Sequence, residues 1–420
     1  MKLAVQTRLL WGRGLRACAD GFVSLLLPVY LLGLGMNPFQ VGIITTGTLL
    51  GSGVLSLLVG LHARRLPYRT WLLLACVLMA ATGFAFAIAS DFWPLLIIAV
   101  VGTLNPSSGD VSVFLPLEHA LLAGSVEDQR RTAFFARYNL VGSLVAALGA
   151  LLAGMPQVIA AALHVGTLTA IRSMFVLYGL LGLVCAMAYR SLPTVHKTAG
   201  ARPGAPLRQS KRNVYTLAAL FSMDAFAGGF VVQSMFALWL FDRFQLSPLV
   251  AGTIFFWTGL VSALSYLAAV RIAGRFGLVN TMVFTHLPSS VLLILIPFTP
   301  TLGWALLLLL ARSALSQMDV PTRGSYVMAI TLPDERAAAA SVTSVPRSLA
   351  AAASPALAGY LLTISTFGWP LIAAGALKIA YDLLLYARFK HIRPPEEQAD
   401  VDFASRDPGS SILPERGGTP

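Results

Sequence analysis

Six stretches of this chain contain no Asp, Glu, Lys or Arg: residues 21–63, 70–90, 138–171, 244–270, 276–311 and 348–377. A helix crosses the hydrocarbon core of a bilayer in about 20 residues, so each stretch is long enough to span it and several are long enough to span it twice. Backbone polar groups in hydrocarbon must be satisfied internally, which leaves helices or a closed barrel. Continuous apolar runs without period-2 alternation select helices. Composition agrees: 56% of residues are hydrophobic and 11% charged, against roughly 25% charged in soluble domains. An all-α polytopic membrane protein follows.

The net charge of +12 does not indicate nucleic acid. The basic residues sit at the ends of apolar runs and the aromatics inside them, a membrane pattern. The basic start, with Lys2, Arg8, Arg13 and Arg16, leads into an apolar run too long for a signal-peptide core, so it reads as a retained first helix. Cys18, Cys76 and Cys185 fall in apolar segments without CxxC spacing and are expected to be inert buried residues. The six histidines (62, 119, 164, 196, 286 and 391) are isolated and are expected to be singly satisfied.

Twelve spans are expected, at about 14–34, 39–61, 70–90, 93–117, 134–154, 170–189, 215–241, 247–270, 280–298, 303–328, 338–364 and 368–388. The domain organisation is then a six-helix bundle (1–190), a cytoplasmic linker (191–212), a second six-helix bundle (213–391) and an acidic, Pro/Gly/Ser-rich tail (392–420) expected to be disordered. Loops and flanking turns on the side of the termini hold 22 Lys/Arg, and the opposite loops hold two, Arg172 and Arg243. Both termini are therefore expected in the cytoplasm.

The halves repeat at an offset of about 205 to 210 residues. Asn37-Pro38 with Gly42 meets Ser247-Pro248 with Gly252, Arg65 meets Arg275, Asp110 meets Asp319, Arg131 meets Arg336, Gly154 meets Gly359, and Asp20 approximates Asp224. Two parallel repeats imply a binding site at their interface near mid-membrane, reached alternately from each side.

On these features the chain resembles the major facilitator superfamily, of bacterial type, over about residues 10–390. The loop GLHARRLPYR (60–69) and its counterpart VRIAGRFGLVN (270–280) are similar to the family's G-x-L-a-D-R-x-G-R-R element, with Arg64 and Gly274 where the family usually has Asp, and Pro67 replacing a Gly. Ser354-Pro355-Ala-Leu-Ala-Gly359 resembles the G-P-x-x-G-G pattern of family antiporters, while Gly149-Ala-Leu-Leu-Ala-Gly154 lacks its proline. The resemblance implies twelve transmembrane helices as two parallel six-helix bundles, spans 1, 4, 7 and 10 lining a cavity, and spans 3, 6, 9 and 12 at the periphery.

Ionisable groups inside hydrocarbon are expensive and mark functional candidates. Asp224, near mid-depth beside Gly228 and Gly229, is the first candidate for a proton-binding carboxylate, a structural ion pair being the alternative; Asp20 is the second, or else an i,i+4 partner of Arg16. Arg312 either contacts substrate or serves as counter-ion to Asp224. Gln233 and the aromatics Tyr30, Phe226 and Trp239 are candidate substrate contacts, with Phe22 and Phe230 beside them; packing is the plainer role for any single aromatic. Asp110 with Arg65 and Asp319 with Arg275 form a twice-predicted pairing, a cytoplasmic gate with Glu118, Arg131, Arg323 and Arg336 as further members, unless the pairs are static. Lys378 and Asp382, four apart, are expected to neutralise one another.

Phosphate-loop, HExxH and GxSxG motifs and paired Cys/His spacings are absent, so ATP hydrolysis, metal catalysis and serine-nucleophile chemistry lack support. The function expected is secondary transport of a small organic solute across the cell inner membrane. It would be proton-coupled, with efflux by antiport ahead of uptake of an organic anion or metabolite by symport. No cofactor, metal or nucleic-acid partner is expected, and the chain is expected to act as a monomer. A polytopic membrane enzyme is the different-class alternative, but it would have no reason to repeat its halves; a receptor or channel is disfavoured on the same ground.

Overall fold

In a computed structural model of the protein the described residues are 2–62, 65–107, 112–125, 128–194 and 207–392. The first half comprises α1 (Lys2–Gly33), α2 (Pro38–His62), α3 (Tyr68–Ile88), α4 (Phe92–Val101), α5 (Phe114–Ser125), α6 (Asp128–Leu151), α7 (Met155–Leu163) and α8 (Thr167–Tyr189). The second comprises α9 (Lys211–Gly229), α10 (Gln233–Phe244), α11 (Pro248–Phe276), α12 (Leu278–Leu295), α13 (Leu302–Leu315), α14 (Asp319–Ala329), α15 (Arg336–Ile364) and α16 (Trp369–Phe389). Among the described residues sixteen α-helices make twelve spans, because four spans are interrupted. Span 4 is α4 and α5, span 5 is α6 and α7, span 7 is α9 and α10, and span 10 is α13 and α14. The two six-helix bundles are as expected.

Nine spans among the described residues are long and apolar enough to cross a bilayer on hydropathy alone. The other three are the broken spans 4 and 10, with apolar halves Phe92–Val101 and Leu302–Leu315, and α15, whose Ala/Ser-rich surface packs against α2 and α9 inside the molecule. Small residues suit that packed face, because association in lipid depends on close backbone approach rather than hydrophobic burial. The lipid-facing surface carries the greasier side chains, such as Leu61, Ile88 and Trp93.

The repeat is visible in local chemistry. α2 opens with a reciprocal cap: the Asn37 side chain accepts from the Gln40 amide and the Gln40 side chain accepts from the Asn37 amide, both at 2.9 Å. At the equivalent start of α11, Ser247 Oγ accepts from the Val250 amide at 3.3 Å, and proline follows at the first helical position in both. One turn on, each helix has a glycine seated against the opposite bundle. A methyl group at Gly42 would lie 2.4 Å from the Pro355 carbonyl, and one at Gly252 would lie 2.4 Å from the Ala150 carbonyl. These two seams, α2 on α15 and α11 on α6, hold the bundles together at the end opposite the termini.

The continuous spans expected at 93–117, 215–241 and 303–328 are corrected. Span 4 opens at Gly102 and restarts at Phe114, span 7 opens after Gly228-Gly229 and restarts at Gln233, and span 10 opens at Ser316 and restarts at Asp319. Non-helical backbone at membrane depth requires partners, and these breaks have them. The Thr103 carbonyl accepts from the Tyr178 hydroxyl at 3.0 Å, Asn105 Oδ1 accepts from the amide and hydroxyl of Ser107, and the Ser234 amide donates across the bundles to the Pro106 carbonyl at 3.1 Å. Span 5 runs on to Leu163 rather than ending near 154. The tail from 393 and most of the linker (195–206) lie outside the described residues.

Candidate functional site

Between the bundles lies a cavity of about 460 Å³. Its walls carry four cations, Arg13 (α1), Arg312 (α13), Arg347 (α15) and Lys378 (α16), and one carboxylate, Asp224 (α9). Gln233, Tyr266 and Gln317 add neutral polar groups, and Phe236 and Phe255 add aromatic faces.

Asp224 is buried and doubly engaged: Oδ1 accepts from Lys378 Nζ at 2.6 Å and Oδ2 from Arg323 Nη2 at 2.9 Å. Arg323 also bonds Asp319 one helical turn away, and its guanidinium sits 5.2 Å over the Phe221 ring. His286 (α12) extends the cluster, with Nδ1 3.0 Å from Asp382, Nε2 3.4 Å from Lys378 Nζ and 3.7 Å from Asp224 Oδ1. Spans 7, 9, 10 and 12 are thus tied by six mutually contacting ionisable groups, and Asp224 and Lys378 bring that cluster to the cavity wall.

Several expectations are overturned here. Lys378 does not pair with Asp382 four residues on; it turns to Asp224, and Asp382 takes His286. Span 12 consequently reaches the cavity rather than staying peripheral, and His286 is no isolated histidine. Asp319 pairs with Arg323 instead of Arg275, which is exposed beside the Phe276 ring; the i,i+4 partner on α14 is one turn away, whereas Arg275 sits at the end of α11. Arg312 lines the cavity but is not the counter-ion of Asp224. Asp20 accepts from Asn105 Nδ2 at 3.3 Å and makes no ion pair with Arg16.

Arg16 belongs to a second buried cluster. Glu118, fully enclosed, accepts from Arg16, the Tyr138 hydroxyl and the Tyr189 hydroxyl. Glu118 therefore joins spans 1, 4, 5 and 6 inside the first bundle and does not form a gate with Arg65, Arg275 and Arg336, which are exposed in the loop after α2, at the end of α11 and at the start of α15. Asp110 lies outside the described residues, as does the side chain of Arg131.

Of the expected substrate contacts, Arg312 and Gln233 line the cavity. Tyr30 is buried in the first bundle, its hydroxyl 2.8 Å from the carbonyls of Phe86 and Ala89, and Trp239 is buried with its indole N–H donating to the Thr366 carbonyl at 3.1 Å. Phe226 packs edge-on against Phe230, and its carbonyl accepts from Ser354 at 2.5 Å. All three serve packing. Arg13, Arg347 and the two cavity phenylalanines were legible only as ordinary span residues. Lys378 did carry a signal, a lone lysine amid a long apolar run.

The model of the Major Facilitator Superfamily matches twice, over residues 9–242 and 217–414, so the chain belongs to that family. An uncharacterized membrane protein of Saccharomyces cerevisiae is 26% identical, over 91% of this chain and 93% of its own length. Among solved structures, a bacterial homolog of the human lysosomal transporter Spinster, inward-facing and occupied, superposes with a TM-score of 0.71 at 14% identity, covering 92% of this chain and 95% of that one. The nucleoside transporter NupG gives 0.68 at 13% identity over 92% and 99%, and the human organic anion transporter MFSD10 gives 0.63 at 17% identity over 91% and 99%. The protein is a multi-pass membrane transporter rather than an enzyme.

Proposed function

We propose that this transporter moves a small organic solute by alternating access and that protons drive it through the Asp224 cluster. One observation carries the reading: three carboxylates (Asp224, Asp319, Asp382) face one lysine, one arginine and His286. An uncompensated charge in a buried site costs several kcal/mol. The cluster is balanced when it holds one proton. A proton entering or leaving would redistribute the bonds of Lys378 and Asp224, which face the cavity and so sense whether it is occupied. Asp224 is thus the cavity-side member of a shared proton site rather than a lone carboxylate.

Efflux by proton antiport is supported by Ser354-Pro355-Ala-Leu-Ala-Gly359, the segment that forms the seam of α15 against α2. Uptake by symport is the second reading, favoured by the cationic cavity wall, since a negatively charged solute enters a cell of negative potential more readily with protons. The basic excess on the termini side supports a cell-inner-membrane protein with both termini in the cytoplasm, and a monomer suffices because the cavity is complete within one chain.

The test uses proteoliposomes with an internal pH dye and a panel of organic anions, cations and neutral solutes. The native protein is expected to move protons with one of the solutes, the sign separating antiport from symport. His286→Gln and Asp224→Asn should exchange labelled for unlabelled solute while losing the pH response. A fully retained pH response in both variants would contradict the proton assignment.

A further inference from the structure

The cavity wall has a feature that proton coupling does not use. Both oxygens of its one carboxylate are taken, by Lys378 and Arg323, yet three arginines share the wall with it. Arg13 is 6% exposed, with its guanidinium 5.3 Å over the Tyr138 ring, and its buried Nε finds no hydrogen-bond partner among the described residues. Arg312 is likewise held without an ion pair, its buried Nε also unpartnered, and the residues around it on α13 are leucine, alanine and serine. A buried guanidinium with open donors is costly unless an anion completes it. Arg13 belongs to the first bundle and Arg312 to the second, so an anion that both contact bridges the two parts that must move.

We propose that the transported solute is a small organic anion carrying a carboxylate or phosphate, held between Arg13 and Arg312 across the bundle interface. This rests on the transporter reading above and narrows it. Guanidinium donors match carboxylate and phosphate oxygens in pairs. The phenylalanine faces of Phe236 and Phe255 supply the apolar side that an organic, rather than inorganic, anion requires. Binding draws arginines of opposite bundles toward one charge, which favours closure around the solute over the empty open state. An organic cation, by contrast, would meet three arginines and a carboxylate already neutralised.

The test is thermal unfolding of the full chain, purified in detergent at constant ionic strength, with four probes: succinate, glycerol 3-phosphate, tetraethylammonium and glucose. Succinate or glycerol 3-phosphate is expected to raise the melting temperature saturably, and the other two to leave it unchanged. Arg312→Gln and Arg13→Gln should each weaken the anion's apparent affinity about tenfold or more, with Arg312→Lys intermediate; the lysine variant keeps the comparison informative if a glutamine variant folds poorly. Stabilisation by tetraethylammonium or glucose alone, no anion response, or an anion response unchanged in both variants would overturn the proposal. A cation or neutral solute carried in the liposome assay would overturn it while leaving the transporter reading intact.

Discussion

At the scale of single residues, the ion pairs are chosen by direction and depth more than by spacing. Lys378 and Asp382 have the i,i+4 spacing of a self-neutralising pair, yet each finds a partner on another helix, and Asp319 pairs within α14 instead of with Arg275 at the end of α11. A buried carboxylate facing several donors is an anchor, and Glu118 is the clearest case. Glu118→Gln keeps the shape, removes the charge opposite Arg16, and is expected to cost about 3–5 kcal/mol in unfolding measured by denaturant in detergent. Replacing Arg16 by Met in the same chain should restore part of that loss, because it is the stranded charge that is expensive. An unchanged stability in Glu118→Gln would show that the cluster is not an anchor. Spacing alone could not have revealed Glu118's partners, since Tyr138 and Tyr189 come from other spans.

Among the elements, the matched positions at the two helix starts were legible in advance; that they form caps and glycine seams, and that other spans break, was not. Asn37-Pro38 and Ser247-Pro248 carry their chemistry in the local sequence, and Gly42 and Gly252 matched before their neighbours were known. The breaks in spans 4, 7 and 10 depend on partners from elsewhere, such as Pro106 meeting Ser234, and hydropathy reads straight through them. Gly42→Leu has no room against the Pro355 carbonyl, so it should hold α2 and α15 apart and lower solute transport by up to about a hundredfold, the cost that a misplacement of about 1 Å can carry, while the protein still folds; Gly359→Leu should do the same. Normal transport in both would mean that this seam need not close. A second device ties the linker's end. Glu335 accepts from the amides of Arg208 (2.8 Å), Gln209 (3.1 Å) and Ser210 (3.1 Å). These bonds, that of Arg208 foremost, hold its carboxyl below the ordinary range against the opposing effect of burial. A lowered carboxyl stabilises the folded form fully above the ordinary value of about 4.3 and loses that contribution as pH falls through the folded value. Glu335→Gln should therefore speed hydrogen exchange at residues 208–210 at neutral pH, relative to intrinsic rates. Acid below that folded value should do the same to the native chain, and protection unchanged by either would contradict the latch.

Over the whole molecule, the sequence repeat carried the architecture, because pseudo-symmetry forces equivalent positions into equivalent environments: Gly42 meets α15 as Gly252 meets α6. The cavity was less legible, since its wall is assembled from α1, α9, α13, α15 and α16 together. Asp224 and Arg312 stood out from sequence as charges at mid-depth and Gln233 as a polar group on span 7; Arg13 did not, because basic residues near span ends ordinarily anchor at the interface. Under the proposed function the two bundles rock about this cavity, opening one end as the other closes. The most direct measurement is a pair of distances in reconstituted protein, by spin labels at Asn37 and Thr366 on the end closed here and at Arg65 and Arg275 on the termini side, all exposed positions. On shifting pH or adding a transported solute, the Asn37 to Thr366 distance should lengthen as the Arg65 to Arg275 distance shortens. Two distances that stay fixed, or that lengthen together, would contradict alternating access.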